Sequence, residues 1–332
     1  MNINPLLLSV AVLLTVSSTS AVDATYIEDI SRRAIEDVVE QNYQTAFSRI
    51  DSLEQTIGGF EPWSLRAMVF HAQIIDYESF DLAAKFYNAC EMAESKANRE
   101  LGLRPTAANF ALGTINGFRT NVLMREGKWL RSVKYALAMK SNLEEVIARD
   151  PEYVDALVGI GSYEYWSSRS LNFLPFSGDN RAKGIARIET ALNKSKLNQA
   201  GAATALIWIY IDQGEGAKAL KLSEQWLAKF PTSRSFLWAA GEAALAAHDY
   251  PAVLQYYRKI LTSVLADPAQ GNNYNAFGCY HRLAEISLKT GDRDAARTYI
   301  RDAFALPLSE STRSRKQKDW DDLKRWQQEL SE

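Results

Sequence analysis

Residues suited to catalysis or metal binding are scarce in this sequence. Only two cysteines and three histidines occur among its 332 residues, and the histidines lie far apart, at positions 71, 248 and 281. A zinc site needs a cluster of such side chains at ligand spacing, so we expect no metal. A Walker phosphate loop, an H-E-x-x-H motif and a G-x-S-x-G elbow are also missing. The sequence therefore predicts a non-enzymatic protein with no cofactor.

A strong charge imbalance is missing as well. The formal net charge is −2, and 47% of the residues are hydrophobic and 23% charged. Proteins that bind nucleic acid usually carry a strongly basic surface, so nucleic acid is not an expected partner. The balance is that of an ordinary globular protein.

Long apolar runs are missing beyond the N-terminus, where no segment approaches the roughly 18 residues of a membrane-spanning helix. Residues 5–16 read P-L-L-L-S-V-A-V-L-L-T-V and are followed by small residues around Ala21 and Ala24. We interpret 1–24 as a cleaved signal peptide, which predicts a periplasmic or secreted protein with no transmembrane segment. No cysteine is present near the cleavage region to carry a lipid. The alternative is a buried N-terminal helix, because the segment lacks Lys and Arg.

What the sequence does contain is a repeated helical pattern. Residues 280–303 form two amphipathic segments around a Gly291-Asp292 turn, and residues 203–231 repeat this with a turn at Gly214. Small or β-branched residues align in the second segment of each unit, at Ala46, Ala83, Ser132, Gly184, Ala219, Val253 and Ala296. No segment has the alternating pattern of a strand, so an all-α fold is expected.

This pattern resembles the tetratricopeptide repeat, a helix–turn–helix unit of about 34 residues with small residues where the helices cross. The resemblance implies an α-solenoid of about six to seven repeats over 26–308, and a generic helical bundle is the alternative. A C-terminal capping helix is expected over 309–332. One face of it carries the apolar residues Trp320, Leu323, Trp326 and Leu330.

One segment interrupts the pattern. Residues 167–181, S-S-R-S-L-N-F-L-P-F-S-G-D-N-R, stand where a short turn is expected. Their apolar content predicts an ordered insertion that either plugs a gap or forms a pocket wall with Tyr163, Tyr165 and Trp166, and Asp179 is placed to cap the next helix. Residues 157–192 are similar to a subgroup of tetratricopeptide proteins that includes exported bacterial members and the eukaryotic outer-membrane and inclusion-body-clearance relatives. That subgroup implies an adaptor and brings no catalytic residues.

The resemblance also implies a binding face, because first-helix residues line the concave groove of this family. With Trp166, which directly precedes the insertion, the expected partner-binding residues are Tyr163, Trp166, Trp208, Trp238, Glu242, His281 and Glu285. Trp208 and Trp238 have an alternative role as core residues between neighbouring helices.

These observations predict an exported scaffold that binds a protein or peptide partner. The alternative is a carrier for a small apolar ligand, of the kind found as accessory subunits of tripartite transporters, and an enzyme ranks third. Cys90 and Cys279 lie in the second and the last repeat. Because solenoid repeats contact only their neighbours, we expect no disulfide between them.

Overall fold

The computed structural model describes residues 21–171 and 178–331. Within these ranges all regular structure is helical and no strand occurs, which confirms the all-α prediction. Residues 1–20 of the predicted signal peptide lie outside the described part of the chain, and its last four residues, 21–24, belong to the first helix. The helices are α1 (Ala21–Val39), α2 (Tyr43–Thr56), α3 (Glu61–Tyr77), α4 (Ala83–Glu100), α5 (Pro105–Arg125), α6 (Trp129–Arg149), α7 (Leu157–Leu171), α8 (Arg181–Lys194), α9 (Gln199–Asp212), α10 (Gly216–Lys229), α11 (Arg234–Ala246), α12 (Tyr250–Ala266), α13 (Tyr274–Lys289), α14 (Arg293–Ala305), α15 (Glu310–Arg315) and α16 (Gln317–Ser331). Short 3₁₀ turns, Val154–Ala156 and Pro268–Gln270, precede α7 and α13.

Consecutive helices pack as hairpins, which confirms the predicted α-solenoid of repeats. The pairs α1–α2, α5–α6, α7–α8, α11–α12 and α13–α14 pack side by side, and α4, α6, α10 and α12 also pack on the helix that follows them. Each residue aligned from the sequence lies on the second helix of a hairpin. In six hairpins it is the fourth residue of that helix, at Ala46, Ser132, Gly184, Ala219, Val253 and Ala296.

The alignment is wrong in the second hairpin. Ala83 is the first residue of α4 and is half-buried, whereas the fourth residue is Phe86, which is fully buried. A large ring therefore occupies the place that small or β-branched residues hold elsewhere. Phe86 lies 6.3 Å from the ring of His71 on α3, so an aromatic contact replaces the close crossing there.

The hairpin turns share one backbone feature. Each contains one residue with positive φ: Gln41, Glu78, Gly127, Gly178, Gly214, His248 or Gly291. At the last turn the Gly291 N–H donates to Leu288 O (3.1 Å) and the Asp292 N–H donates to Ser287 O (2.8 Å), a Schellman motif. Because Gln41, Glu78 and His248 replace glycine, a search for glycine turns finds only part of the array.

The C-terminal end of the array is covered by α16. Leu323 and Leu330 are buried against α13 and α14, while Trp320 and Trp326 are partly buried in the same cluster. Trp320 stacks on Phe277 of α13 with ring centroids 5.8 Å apart. The predicted capping face is therefore confirmed, although the segment forms two helices, α15 and α16, instead of one.

The insertion is shorter than predicted. The first five of its residues continue α7 to Leu171, and α8 begins at Arg181. Residues 172–177, which carry most of the apolar side chains of the proposed plug or wall, lie outside the described part of the chain. The N-cap residue of α8 is Asn180, so the prediction that Asp179 caps this helix is wrong by one position. Asp179 instead accepts a hydrogen bond from the backbone N–H of Arg181, the first residue of α8 (3.0 Å).

The helices divide into two compact units. Unit 1 comprises residues up to 75 and 80–209, and unit 2 comprises 76–79 and 210–332. Within unit 2, the Arg234 guanidinium of α11 pairs with the carboxylates of Asp76 and Asp267 at 2.8 Å each, and Asn275 Nδ2 donates to Asp76 O at 2.7 Å. The expectation that repeats contact only their neighbours is therefore wrong, because the end of α3 is built into a unit of later repeats.

Arg234 is expected to contribute strongly to the stability of unit 2. Its side chain is 6% exposed, and Arg234→Ala removes the cation that two carboxylates share. We expect the free energy of unfolding to fall by about 3 kcal/mol, measured by urea unfolding followed by circular dichroism. Arg301→Ala is the matched control, because Arg301 also pairs with an aspartate but is 73% exposed. It should cost less than about 1 kcal/mol, and equal losses from both variants would contradict the assignment.

Candidate functional site

The seven predicted binding residues fall into two groups. Tyr163, Trp166 and Trp208 belong to unit 1, on α7 and α9, and the other four belong to unit 2. In unit 2, Trp238 and Glu242 lie on α11 and His281 and Glu285 lie on α13. All four are on first helices of hairpins, as the sequence pattern predicts.

Trp238 has a packing role in unit 2. It is only partly exposed and its ring meets Tyr257 of α12 edge-on, with centroids 5.5 Å apart and planes at 90°. Trp238 packs against the hydrophobic cluster formed by α11, α12 and α13. Much of the Trp238 side chain therefore packs in the core, which agrees with the alternative role given above.

Glu242 and Glu285 belong to one polar network, which we call the Arg282 cluster: Glu242, Tyr257, Arg282, Glu285 and Lys289. The Tyr257 hydroxyl donates to Glu242, the Arg282 guanidinium donates to Glu285, and Lys289 Nζ donates to the same glutamate at 2.8 Å. Arg282 Nη2 lies 4.0 Å from Glu242 Oε1, so the arginine links the two carboxylates.

The cluster is partly buried, and its charges stabilise each other. Burial alone would raise the pKa of Glu285, but the hydrogen bond from Lys289 and the charge of Arg282 outweigh it and lower this pKa. Burial opposes the charged form of Arg282, yet Tyr257, Glu242 and Glu285 together raise its pKa further. Arg282 and Glu242 remain 26% exposed and Lys289 46% exposed, so a partner can reach the network.

His281 is not part of this exposed surface. Its imidazole stacks on Trp326 of α16 with centroids 5.1 Å apart, and its Nε2 lies 3.6 Å from an Asp322 carboxylate oxygen. Burial lowers the pKa of His281, although Asp319 and other carboxylates oppose the shift. The structure thus places His281 under the capping helix.

The three unit 1 residues are partly buried aromatic side chains. Lys140 Nζ lies 5.9 Å from the ring of Tyr163, and Trp166 meets Tyr165 edge-on at 5.0 Å. The indole N–H groups of Trp166 and Trp208 are buried and have no hydrogen-bond acceptor. These residues form no charged network comparable to the Arg282 cluster.

Unit 1 also contains an interior cavity. It is lined by residues of four first helices and of the turn before α9: Ile35, Val38, Val39, Met68, His71, Ala72, Phe118, Asn198, Ala200 and Gly201. Its volume is about 40 Å³, which is room for a few water molecules. The cavity wall thus joins α1 of the first hairpin to α9 of the fifth. Like the contacts of Arg234 with the end of α3, this connects repeats that are not neighbours along the chain.

His71 is the titratable side chain of the cavity wall. It is 4% exposed and stacks on Phe118 of α5 with ring centroids 4.7 Å apart. Burial, helped by the charge of Arg125, lowers its pKa to about 3 against the opposing hydrogen bond of Asn121. Its Nε2 has no hydrogen-bond partner. The imidazole is therefore neutral at pH 7.

Sequence patterns do not single out Arg282, Tyr257 or His71. Arg282 could have been noticed as a basic residue three positions before Glu285, a spacing that places both on one helix face. Tyr257 lies on a second helix, and its contact with Glu242 depends on how two helices pack. His71 resembles any lone helical histidine until the surrounding helices are known.

No metal cluster and no spanning helix occur in the part of the chain that the structure describes. His, Cys, Asp and Glu side chains there form no group of three suited to a metal ion. None of the described helices is both long and apolar enough to cross a bilayer. Both cysteines are free and buried, and burial raises the pKa of the Cys90 thiol to about 12.

The sequence matches no protein-family model, and a search of curated proteins found no similar one. The repeat architecture therefore rests on the observed helix hairpins.

His71 predicts a specific pH dependence of stability. The unfolded histidine takes up a proton near pH 6.5 and the folded one near 3, so stability is complete above pH 6.5 and falls as the pH drops below it. At pH 5 the expected loss is about 2 kcal/mol. His71→Leu removes the titrating group and with it this acid-induced loss. Between pH 7.5 and pH 5 the free energy of unfolding, measured with urea, should therefore fall by about 2 kcal/mol more in wild type than in the variant. If wild type and variant differ in unfolding free energy by the same amount at both pH values, this would contradict a neutral buried imidazole.

Proposed function

We propose that this chain is a non-enzymatic scaffold of the tetratricopeptide type that binds an extended segment of a protein partner through unit 2. The Arg282 cluster carries this proposal. It brings charged side chains from two first helices, α11 and α13, to one partly exposed surface. In the resembling family, first helices line the groove that receives a peptide.

The chemistry of the cluster suits a peptide chain. Arg282 and Lys289 offer N–H donors to main-chain carbonyls and carboxylates, and Glu242 and Glu285 accept from main-chain N–H groups. Charge-assisted hydrogen bonds of this kind are stronger than neutral ones. The internal ion pairs hold the donors in place before a partner arrives, which reduces the entropy lost on binding.

The unit 1 cavity is too small to be the binding pocket of a small-molecule carrier. Its 40 Å³ accommodates water-sized molecules. A carrier needs a pocket that surrounds most of its ligand, and such pockets are far larger. The partly exposed cluster in unit 2 instead offers an open surface.

Export to the periplasm or the cell exterior is part of the proposal. It is supported by the apolar segment 5–16, the small residues that follow it and the absence of a nearby cysteine for lipidation.

Site-specific photo-crosslinking tests the binding surface. A benzophenone amino acid replaces Lys289, the most exposed member of the cluster, or, as the control, Gln255, which is exposed on the second helix α12. In cells that make the protein, we expect a discrete cross-linked partner at position 289 and none at 255. Adding Glu242→Gln, which keeps the side-chain volume but removes its charge, should reduce the yield at 289 several-fold.

Circular dichroism and the melting temperature of each variant establish that it is folded. Equal cross-linking at 255 and 289, or no effect of Glu242→Gln, would contradict the proposed surface.

A further inference from the structure

A second surface of unit 1 is unusually apolar. Five large hydrophobic side chains on α6 and at the end of α5 are 39–70% exposed: Met124 (39%), Trp129 (63%), Leu130 (70%), Val133 (49%) and Leu137 (52%). Three other large hydrophobic residues of the described chain are exposed, Tyr26, Leu103 and Leu265, and they lie at scattered positions. We call these five residues the α6 apolar face.

The α6 apolar face is separate from the face by which α6 packs. The buried residues of this helix are Ser132, Met139, Leu143 and Val146. Leu130, Val133 and Leu137 follow each other at spacings of three and four, so they share one stripe on a different side of the helix. The helix thus has two apolar faces, and only one of them is covered. An uncovered patch of this kind marks an interaction site.

Basic residues flank the α6 apolar face. Residues 124–141 contain Arg125, Lys128, Arg131, Lys134 and Lys140 against one acid, Glu126, a local excess of four positive charges in a chain whose net charge is −2. Lys128, Arg131 and Lys134 are exposed. Glu126 is 13% exposed and engaged by Lys128 Nζ (3.0 Å) and the Tyr87 hydroxyl (3.0 Å). The surface around the apolar stripe is therefore positive.

This combination fits a lipid surface better than a protein. Helices that lie in the plane of a membrane interface have Trp and Leu on one side and Lys and Arg beside them. Lysine is depleted at the centre of protein interfaces, whereas anionic headgroups attract it. The stripe of Leu130, Val133 and Leu137 also stands on a single helix.

We propose that the α6 apolar face docks unit 1 on an anionic bilayer, with α6 parallel to the membrane plane. Trp129, Leu130, Val133 and Leu137 enter the headgroup region, and Lys128, Arg131 and Lys134 contact lipid phosphates. This function is independent of the Arg282 cluster, which lies in unit 2.

A fluorescent probe on α6 tests the docking in the full chain. Both native cysteines are buried, so Leu130→Cys provides a single reactive thiol for the environment-sensitive dye NBD. Leu265→Cys, at a position that is 53% exposed in unit 2, is the matched control. Vesicles consist of phosphatidylcholine alone or of equal parts phosphatidylcholine and phosphatidylglycerol. Because the probe reports its own surroundings, attachment of the chain through another segment does not mimic the signal.

With the anionic vesicles we expect a blue shift and a several-fold rise in NBD emission at position 130, and no change at 265. Phosphatidylcholine vesicles should leave both probes unchanged. Replacing Lys128, Arg131 and Lys134 by Gln should raise the lipid concentration that gives half of the response at 130 at least tenfold.

Several outcomes would overturn the proposal. They are an unchanged probe at 130, an equal response at 265, and an equal response to neutral vesicles. A signal at 130 that rises with protein concentration in the absence of lipid would instead identify a second copy of the chain as the occupant.

Discussion

The backbones of two helices can come into contact only where the side chain between them is missing or small. This close crossing is the contact on which the hairpins depend. In the α7–α8 hairpin it is made by two glycines. A Cβ on Gly184 would lie 2.5 Å from the Gly161 carbonyl oxygen, and a Cβ on Gly161 would lie 2.5 Å from that of Gly184. Small residues at the fourth position of most second helices have the same consequence. One hairpin cannot bury its apolar faces alone, so each packs on the next and the core becomes continuous.

Contacts beyond neighbouring repeats then distinguish this protein from a simple linear array. In unit 1 the first and fifth hairpins meet around the cavity of His71, and in unit 2 Arg234 holds the end of α3. Such contacts bury polar groups that an open array would leave in water. Two surfaces that remain reachable are the Arg282 cluster and the α6 apolar face. The first has both signs of charge and the second is apolar and basic, so they suit partners of different chemistry.

The fold could be predicted from the sequence because small residues and apolar positions recur at helical spacing. The prediction was wrong where a hairpin lacks the usual signals: its turn has Glu78 in place of glycine, and Phe86 in place of a small residue. The candidate site could be predicted less well. Periodicity places Glu242, His281 and Glu285 on first helices, but it does not show that α16 covers His281 or that Arg282 joins the two glutamates. Those contacts are set by how helices pack in three dimensions.

A close helix crossing, and not composition, makes glycine necessary in the α7–α8 hairpin. Replacing Gly184 by alanine and measuring urea unfolding tests this constraint. We expect the free energy of unfolding to fall by about 2 kcal/mol or more, because backbone atoms of α7 cannot move aside without opening the hairpin. Gly102→Ala is the matched control in the same unit, since nothing lies within 4 Å of its added Cβ. That change should be neutral or stabilise by less than about 1 kcal/mol. If Gly184→Ala were tolerated as well as Gly102→Ala, the crossing would not be the constraint that sets this fold.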